Sequence, residues 1–316
     1  LDLLIQKLSW KKESSPKLFL GWLFLSQVCG SIKWRPHIWV TGASGSGKTT
    51  VMNEVVGKLL SINCFKIMGR STEAGIRQNI GSSSLPILFD ENETTDKSSQ
   101  TRVSNVIELF RQASSESDSH VVKGTSSGKS MSFNVRFAAI ISSIRVNLTL
   151  EQDVNRFSVL EMIINKDNNF MGKGGTREQI NDLLTDNFCN GFFSKSVESI
   201  NKIHKNYEIF SKVLLRDNSS RFADQYGMLL AGYMAAIQEK PVTEKEAEQF
   251  TIDLSEHQES SSIKDENECL EFILNKKIIE GGFSYTVGEI CDRLRNKNEI
   301  YEKEYINYWR DGSTSQ

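Results

Sequence analysis

The run Val40-Thr41-Gly42-Ala43-Ser44-Gly45-Ser46-Gly47-Lys48-Thr49-Thr50 constrains this chain more than anything else in it. From Gly42 to Thr49 it matches G-x-x-x-x-G-K-[ST] in full, with the apolar His37-Ile38-Trp39-Val40 before it and a helical stretch to Leu60 behind. A strand that passes through glycines into a helix turns successive backbone N–H groups inward at a helix N-terminus, which is a cradle for phosphate. The expectation is a nucleotide site, with ATP and Mg²⁺ as its ligands. Gly42, Ala43, Ser44, Gly45, Ser46, Gly47, Lys48, Thr49 and Thr50 wrap the phosphates, Lys48 reaches the β- and γ-phosphates, and Thr49 coordinates Mg²⁺. Such loops serve kinases, switches, pumps and helicases alike, so the motif names the fuel and leaves its use open.

Residues C-terminal to the loop narrow that use. "LPILFDEN" (85–92) is a continuous apolar run ending in two acids, the pattern of a buried parallel strand. Asp90 is expected in the Mg²⁺ shell and Glu91 as the group that polarises an attacking water. A second buried strand is expected over 136–144, ending at Ser142 and Ser143; Ser143 is taken as the residue that senses the γ-phosphate. A fifth strand is expected over 157–164, with Arg156 just before it. Strands at 37–40 and 64–69 complete five. "HVVKGTSSGKSMSFNV" (120–135) reads as a hairpin with Lys123 on its first arm and Lys129 at its Gly/Ser tip.

Composition excludes some partners. The 316 residues carry a formal net charge of −2, so any polyanion contact has to be local, and Lys123 and Lys129 are the candidates. Cys29, Cys64, Cys189, Cys269 and Cys291 show no C-x-x-C pair, and the expectation is buried reduced thiols in a cytoplasmic protein. "LFLGWLFLSQVCG" (18–30) is too short to span a bilayer and runs almost directly into the first strand, so it is read as a buried helix, with no membrane association. From a start without methionine and an end on "DGSTSQ", the expectation is that the chain is a piece of something larger. Four regions are expected: an N-terminal helical segment (1–35), an ATPase core (36–170), a helical region (171–254), and a linker with a small helical tail (255–316).

Taken in order, the phosphate loop, acidic pair, hairpin, sensor strand and Arg156 resemble AAA+ ATPases of the superfamily III helicases. The resemblance is nearest to the helicase half of phage- and plasmid-type primase-helicases. It runs from about Gly21 to Tyr233 and is most specific in "STEAGIRQ" and "RQASSES…VKGT". It implies an α/β AAA+ P-loop core with a five-stranded parallel sheet and a pre-sensor β-hairpin, flanked by helical regions. It also implies a homo-oligomeric ring, hexameric, that hydrolyses ATP between subunits and moves on single-stranded or forked DNA. Within that ring Arg156 is the arginine finger, Lys123 and Lys129 face the pore, and Arg221 is a second sensor of nucleotide, with Arg216 an equal candidate. Relatives often carry a primase-polymerase domain ahead of this region, and priming is not assigned to the residues here. The tail from about Glu268 resembles the start of a winged helix. Two other classes compete. A AAA+ protein remodeller needs an aromatic–hydrophobic–Gly loop that "FKIMGRSTEAGIRQNIGSSSLP" lacks; a nucleotide-gated defence or signalling switch needs no turnover, whereas the Asp90-Glu91 pair argues for it.

Overall fold

A computed structural model describes residues 8–90, 97–115, 121–124, 130–144, 146, 148, 151–164, 175–252, 254, 257, 270, 273–274, 276–280 and 283–295. In chain order the strands of the main body are β1 (His37–Gly42), β2 (Phe65–Met68), β3 (Ile87–Asp90), β4 (Val121–Gly124), β5 (Ser130–Phe133), β6 (Ala139–Ser142) and β7 (Phe157–Met162). The helices are α1 (Ser15–Ser26), α2 (48–60), α3 (Glu73–Ile80), α4 (Lys97–Ala113), α5 (Glu151–Val154), α6 (Thr176–Leu183), α7 (Asp186–Glu198), α8 (Ile200–Leu214), α9 (Ser220–Ile237) and α10 (Glu244–Ile252).

Five strands pair in parallel in the order β2-β3-β6-β1-β7, while β4 and β5 form a separate antiparallel hairpin. Strands covered on both faces need apolar interiors, and β1, β3 and β6 have them at Ile38–Val40, Ile87–Phe89 and Ala139–Ile141. From β1 the chain crosses to the far edge at β2 and works back, which makes β1 the switch point of the sheet. In open α/β sheets, ligands bind beyond the carboxyl ends of the strands at such a point. The α/β P-loop core and its hairpin are as expected, with strand ends trimmed by one to a few residues. One face of the sheet holds an aromatic cluster in which Phe110 meets Phe137 at 5.4 Å and 85° and Phe89 at 5.9 Å and 89°, edge to face.

The apolar run at the N-terminus is α1, with Pro16 in its first turn. It is apolar all round and therefore buried all round, against α9 and the sheet. The crossing with α9 is tight enough to need glycine: a Cβ at Gly21 would lie 2.0 Å from the Leu229 carbonyl oxygen, and one at Gly232 would lie 2.4 Å from Leu25 Cγ. Gly21→Ala is expected to destabilise the chain by at least the ~1–3 kcal/mol of a core overpacking. A urea midpoint unchanged from wild type would show that the crossing is not close.

α3 is capped by Thr72, which is extended (φ −91°, ψ 152°) and whose hydroxyl accepts the Gly75 N–H at 3.2 Å. Three local expectations are corrected. The described cysteines are free thiols as expected, but Cys29 alone of them is buried; Cys64 and Cys189 are half-exposed and Cys291 is exposed. The helix after the phosphate loop is α-helical only at its ends, with π-type turns over Val51–Val56 between them. Finally, the tail is not purely helical.

The chain separates into two compact units, Leu1–Asp253 and Leu254–Gln316. In the second unit β8 (Lys277–Glu280) and β9 (Phe283–Thr286) form an antiparallel hairpin that runs into α11 (Val287–Arg295). A reciprocal capping box opens α11, with Thr286 Oγ1 accepting the Glu289 N–H at 3.2 Å and Glu289 accepting the Thr286 N–H at 2.8 Å. The signal for that hairpin stands in the sequence, two β-rich runs around Gly281-Gly282.

Candidate nucleotide site and the opposite rim

The phosphate loop leaves β1 at Gly42. A Cβ there would meet the Met162 carbonyl oxygen at 2.3 Å and Ser46 Oγ at 2.8 Å, so only glycine fits between the loop and β7. Gly45 and Gly47 take φ of 82° and 94°, the left-handed turns that let amides converge. The Lys48 ammonium donates to the Gly42 and Ala43 carbonyls at 2.6 and 3.0 Å, which holds the cation at the mouth of the loop. Ala43, Ser44, Gly45 and Thr49 are exposed, while Ser46 is buried and its hydroxyl has no hydrogen-bond partner among the described residues. A cradle of glycine amides, one cation, an exposed threonine and an orphan hydroxyl fits a nucleotide polyphosphate with its metal. Among the described residues no cluster of three His, Cys, Asp or Glu forms a separate metal site.

Asp90 closes β3 and pairs in register with Ser142 at the end of β6, and Ser142 pairs with Val40 of β1. All three strands therefore deliver their last residues to one edge, beside the loop. Strand alternation then separates the two serines. Phe89 and Ile141 face the aromatic cluster, so Asp90 and Ser142 project to the opposite face. Ser143 returns to the cluster side, where its hydroxyl accepts the Trp39 indole N–H at 2.7 Å. Ser142 is thus the serine on the Asp90 face. Glu91 lies outside the described residues.

Arg156 is at the other end of the sheet. β7 starts opposite His37 and ends opposite Gly42, so five residue steps, about 17 Å, separate Phe157 from the level of the phosphate loop. Arg156 Nε donates to Ser114 Oγ at 3.1 Å, and Ser114 Oγ donates to the Arg111 carbonyl at 2.8 Å. Burial, then the charges of Arg221 and Arg111, lower the Arg156 pKa from the ordinary arginine value, with Asp153 opposing. Arg35, fully buried, caps the C-terminus of α4 by donating to the Ala113 carbonyl at 2.6 Å, with a further bond to Ser115 O at 2.5 Å.

His37 sets the rigidity of this rim. Its Nε2–H donates to the Phe110 carbonyl at 2.6 Å and its Nδ1 accepts the Ala139 N–H at 3.0 Å, which requires a neutral ring. Burial drives its pKa from 6.5 to about 3. The unfolded chain takes up that proton below the ordinary value and the fold does not, so stability is lost as pH falls from 6.5 toward 3. The group should remove about 2 kcal/mol between about pH 7 and pH 5. His37→Gln should lack that part of the slope in urea titrations at the two pH values, whatever its own stability; an identical slope would show that His37 is not held neutral.

The hairpin pairs Val121 with Phe133 and Lys123 with Met131. Its base is anchored by Phe133, buried, with the Arg77 guanidinium 4.9 Å from its ring centroid, and Arg77 is paired with Glu73 of α3. "STEAGIRQ" therefore carries the hairpin's footing. Lys123 is on β4, Lys129 lies outside the described residues, and neither side chain is described. A contact that sequence reading missed joins α2 to α6: Arg177 donates to Glu54 at 2.6 Å, with Lys58 3.4 Å from the same carboxylate. The Arg177 hydrogen bond, first among the causes, holds Glu54 below the usual carboxylate range. No motif flags it, because the partners lie far apart in sequence.

Fold and loop together define an α/β P-loop core. No protein-family model matches the chain, and no curated protein matches it. Among solved structures, the apo C-terminal region of NrS-1 is similar with a TM-score of 0.41 and 11% identity, over 89% of this chain and 72% of that one. A second apo structure of that region gives a TM-score of 0.37 and 14% identity, over 89% and 73%. JCV helicase, with a bound thiazolopyridine compound, gives a TM-score of 0.31 and 13% identity, over 78% and 61%. At values of this size the fold rests on the strand order and the loop themselves. Among the described residues no helix is long and apolar enough to cross a membrane.

Proposed function

We propose that this chain is an ATP-hydrolysing DNA helicase or translocase that works in the cytoplasm as a homo-oligomeric ring, a hexamer, on single-stranded or forked DNA in phage or plasmid replication. The observation that carries the reading is the distance between its two sets of functional residues. Lys48, Thr49, Asp90 and Ser142 gather at the carboxyl edge of the sheet, whereas Arg156 sits at the amino edge, too far to serve its own loop. An arginine placed there acts on a neighbour's nucleotide or on none.

In this reading the loop amides and Lys48 hold the β- and γ-phosphates of ATP, and Glu91 orients the attacking water. Thr49 and Asp90 hold Mg²⁺, which when bound neutralises charge on the phosphate oxygens. The sensing hydroxyl is expected at Ser143 from sequence; strand alternation favours Ser142, which shares the face of Asp90. Arg156 of one subunit completes the site of the next. Lys123 and Lys129 bring the local positive charge that a net charge of −2 does not supply.

The test is ATPase activity measured with and without single-stranded DNA, beside oligomer mass with and without nucleotide. DNA-stimulated turnover that appears only in the oligomer supports the reading; turnover by monomers at the same rate, indifferent to DNA, refutes it. Within that assay Lys129→Ala should weaken DNA binding and lower the salt slope by about 0.7 for each phosphate that is no longer neutralised. Basal ATPase should be unchanged. Unaltered DNA affinity would remove the hairpin tip from the track.

A further inference from the structure

We propose that Arg221 is a second cation delivered with Arg156 to the nucleotide of a neighbouring copy, and not a sensor of its own subunit's nucleotide. The inference rests on the ring reading above and assigns Arg221 a place within it.

The position is set by hydrogen bonds one turn along α9. Gln225 Nε2 donates to the His37 carbonyl at 2.7 Å and to Ser158 Oγ at 3.1 Å, while its Oε1 accepts the Trp34 indole N–H at 3.0 Å. Those bonds fasten the start of α9 to the first residues of β1 and β7. Arg221, four residues earlier, lies on the same side of the helix as Gln225, at the Arg156 end of the sheet. Its charge is the largest influence on Arg156 after burial, as close neighbours require. The strand length that separates Arg156 from its own phosphate loop therefore separates Arg221 from it as well.

The electrostatics point the same way. Arg221 is in the first turn of an 18-residue helix whose first turn holds no acid, so a cation stands on the positive end of the helix dipole. That placement is unfavourable for a purely structural arginine. The carboxylates described at this rim have other partners: Asp153 and Glu108 lie 3.2 and 3.8 Å from Arg111, Asp153 also offsets the charge of Arg156, and Asp224 accepts the Tyr207 hydroxyl at 2.5 Å. The carbonyls at the end of α4 are served by Arg35. Arg221 is exposed and makes no ion pair among the described residues. A helix N-terminus and two guanidiniums, one exposed and one half-buried, thus converge on one rim of the sheet. Polyphosphate from another copy is the ligand that this arrangement suits, since Arg221 and Arg156 can approach different oxygens of one phosphate group.

Mixed oligomers test it. Arg221→Ala should lower the DNA-stimulated ATPase of the oligomer by about a hundredfold to a thousandfold, the scale of one lost transition-state donor. Mixing Arg221→Ala with Lys48→Ala should raise turnover above the sum of the two separate preparations, because the Lys48 variant still presents Arg221 to an intact loop next door. A mixture no more active than that sum overturns the proposal, since a residue serving its own loop cannot be rescued by a neighbour. Arg156→Ala mixed with Lys48→Ala is the control. Rescue there without rescue for Arg221 overturns this inference alone; absence of rescue in both overturns the ring reading together with it.

Discussion

Lys48→Ala is expected to reduce ATP turnover by a factor on the order of 10² to 10³ or more, with no comparable loss of stability. Its ammonium is held by the Gly42 and Ala43 carbonyls at the mouth of a loop whose remaining donors are neutral amides. Removing it takes away the one full positive charge that the loop supplies, where water is partly excluded and charge counts most. The side chain is half-exposed and packs no core, so the fold should tolerate its loss. ATPase rate, nucleotide affinity and a urea midpoint measured on the same preparation separate these effects. Turnover equal to wild type would show that the loop is not the site of hydrolysis.

Arg156→Ala should cost more in turnover than in binding. A finger that crosses an interface is worth about 10³ to 10⁵ in rate, whereas the nucleotide affinity of a single subunit depends on the loop at the opposite edge. Arg156 also donates to Ser114 Oγ at 3.1 Å, so its removal carries a structural cost of about 1 kcal/mol. Arg156→Lys keeps a charge but loses both that Nε hydrogen bond and the planar fork, and it should restore little activity. Should Arg156→Ala oligomers hydrolyse ATP normally, Arg156 is a structural residue of the α4 terminus and the finger has to be sought elsewhere.

Much of the site was legible because its chemistry is local. A phosphate cradle needs glycines at fixed spacing, and the φ values at Gly45 and Gly47 are the backbone reason for them. An apolar run ending in acids announces a buried strand with a working end, and Asp90 closes β3 as that pattern implies. The hairpin was readable from two β-rich arms around a Gly/Ser tip. Where two hydroxyl residues stand side by side, sequence alone does not choose between them. Ser71 and Thr72 are equally good caps on paper, and only backbone conformation selects Thr72. Ser142 and Ser143 are equally polar, and only strand alternation separates the Asp90 face from the Trp39 face. The π-type turns after the loop left no mark in the residues, since they are a property of hydrogen-bond register.

Sequence by itself determined the phosphate loop, the buried strands, the all-apolar α1 and the hairpin, because each depends on neighbours within a turn or a strand. Tertiary structure alone decided which residues can act together. Strand order brings Asp90 and Ser142 beside Gly42 although long stretches of chain lie between them, and strand direction sends Arg156 to the far edge. It likewise sets Arg221 beside Arg156, through Gln225 clamped on His37 and Ser158. A parallel sheet gives every strand the same sense, so the residues that open β1 and β7 and those that close them are held about 17 Å apart whatever their identity.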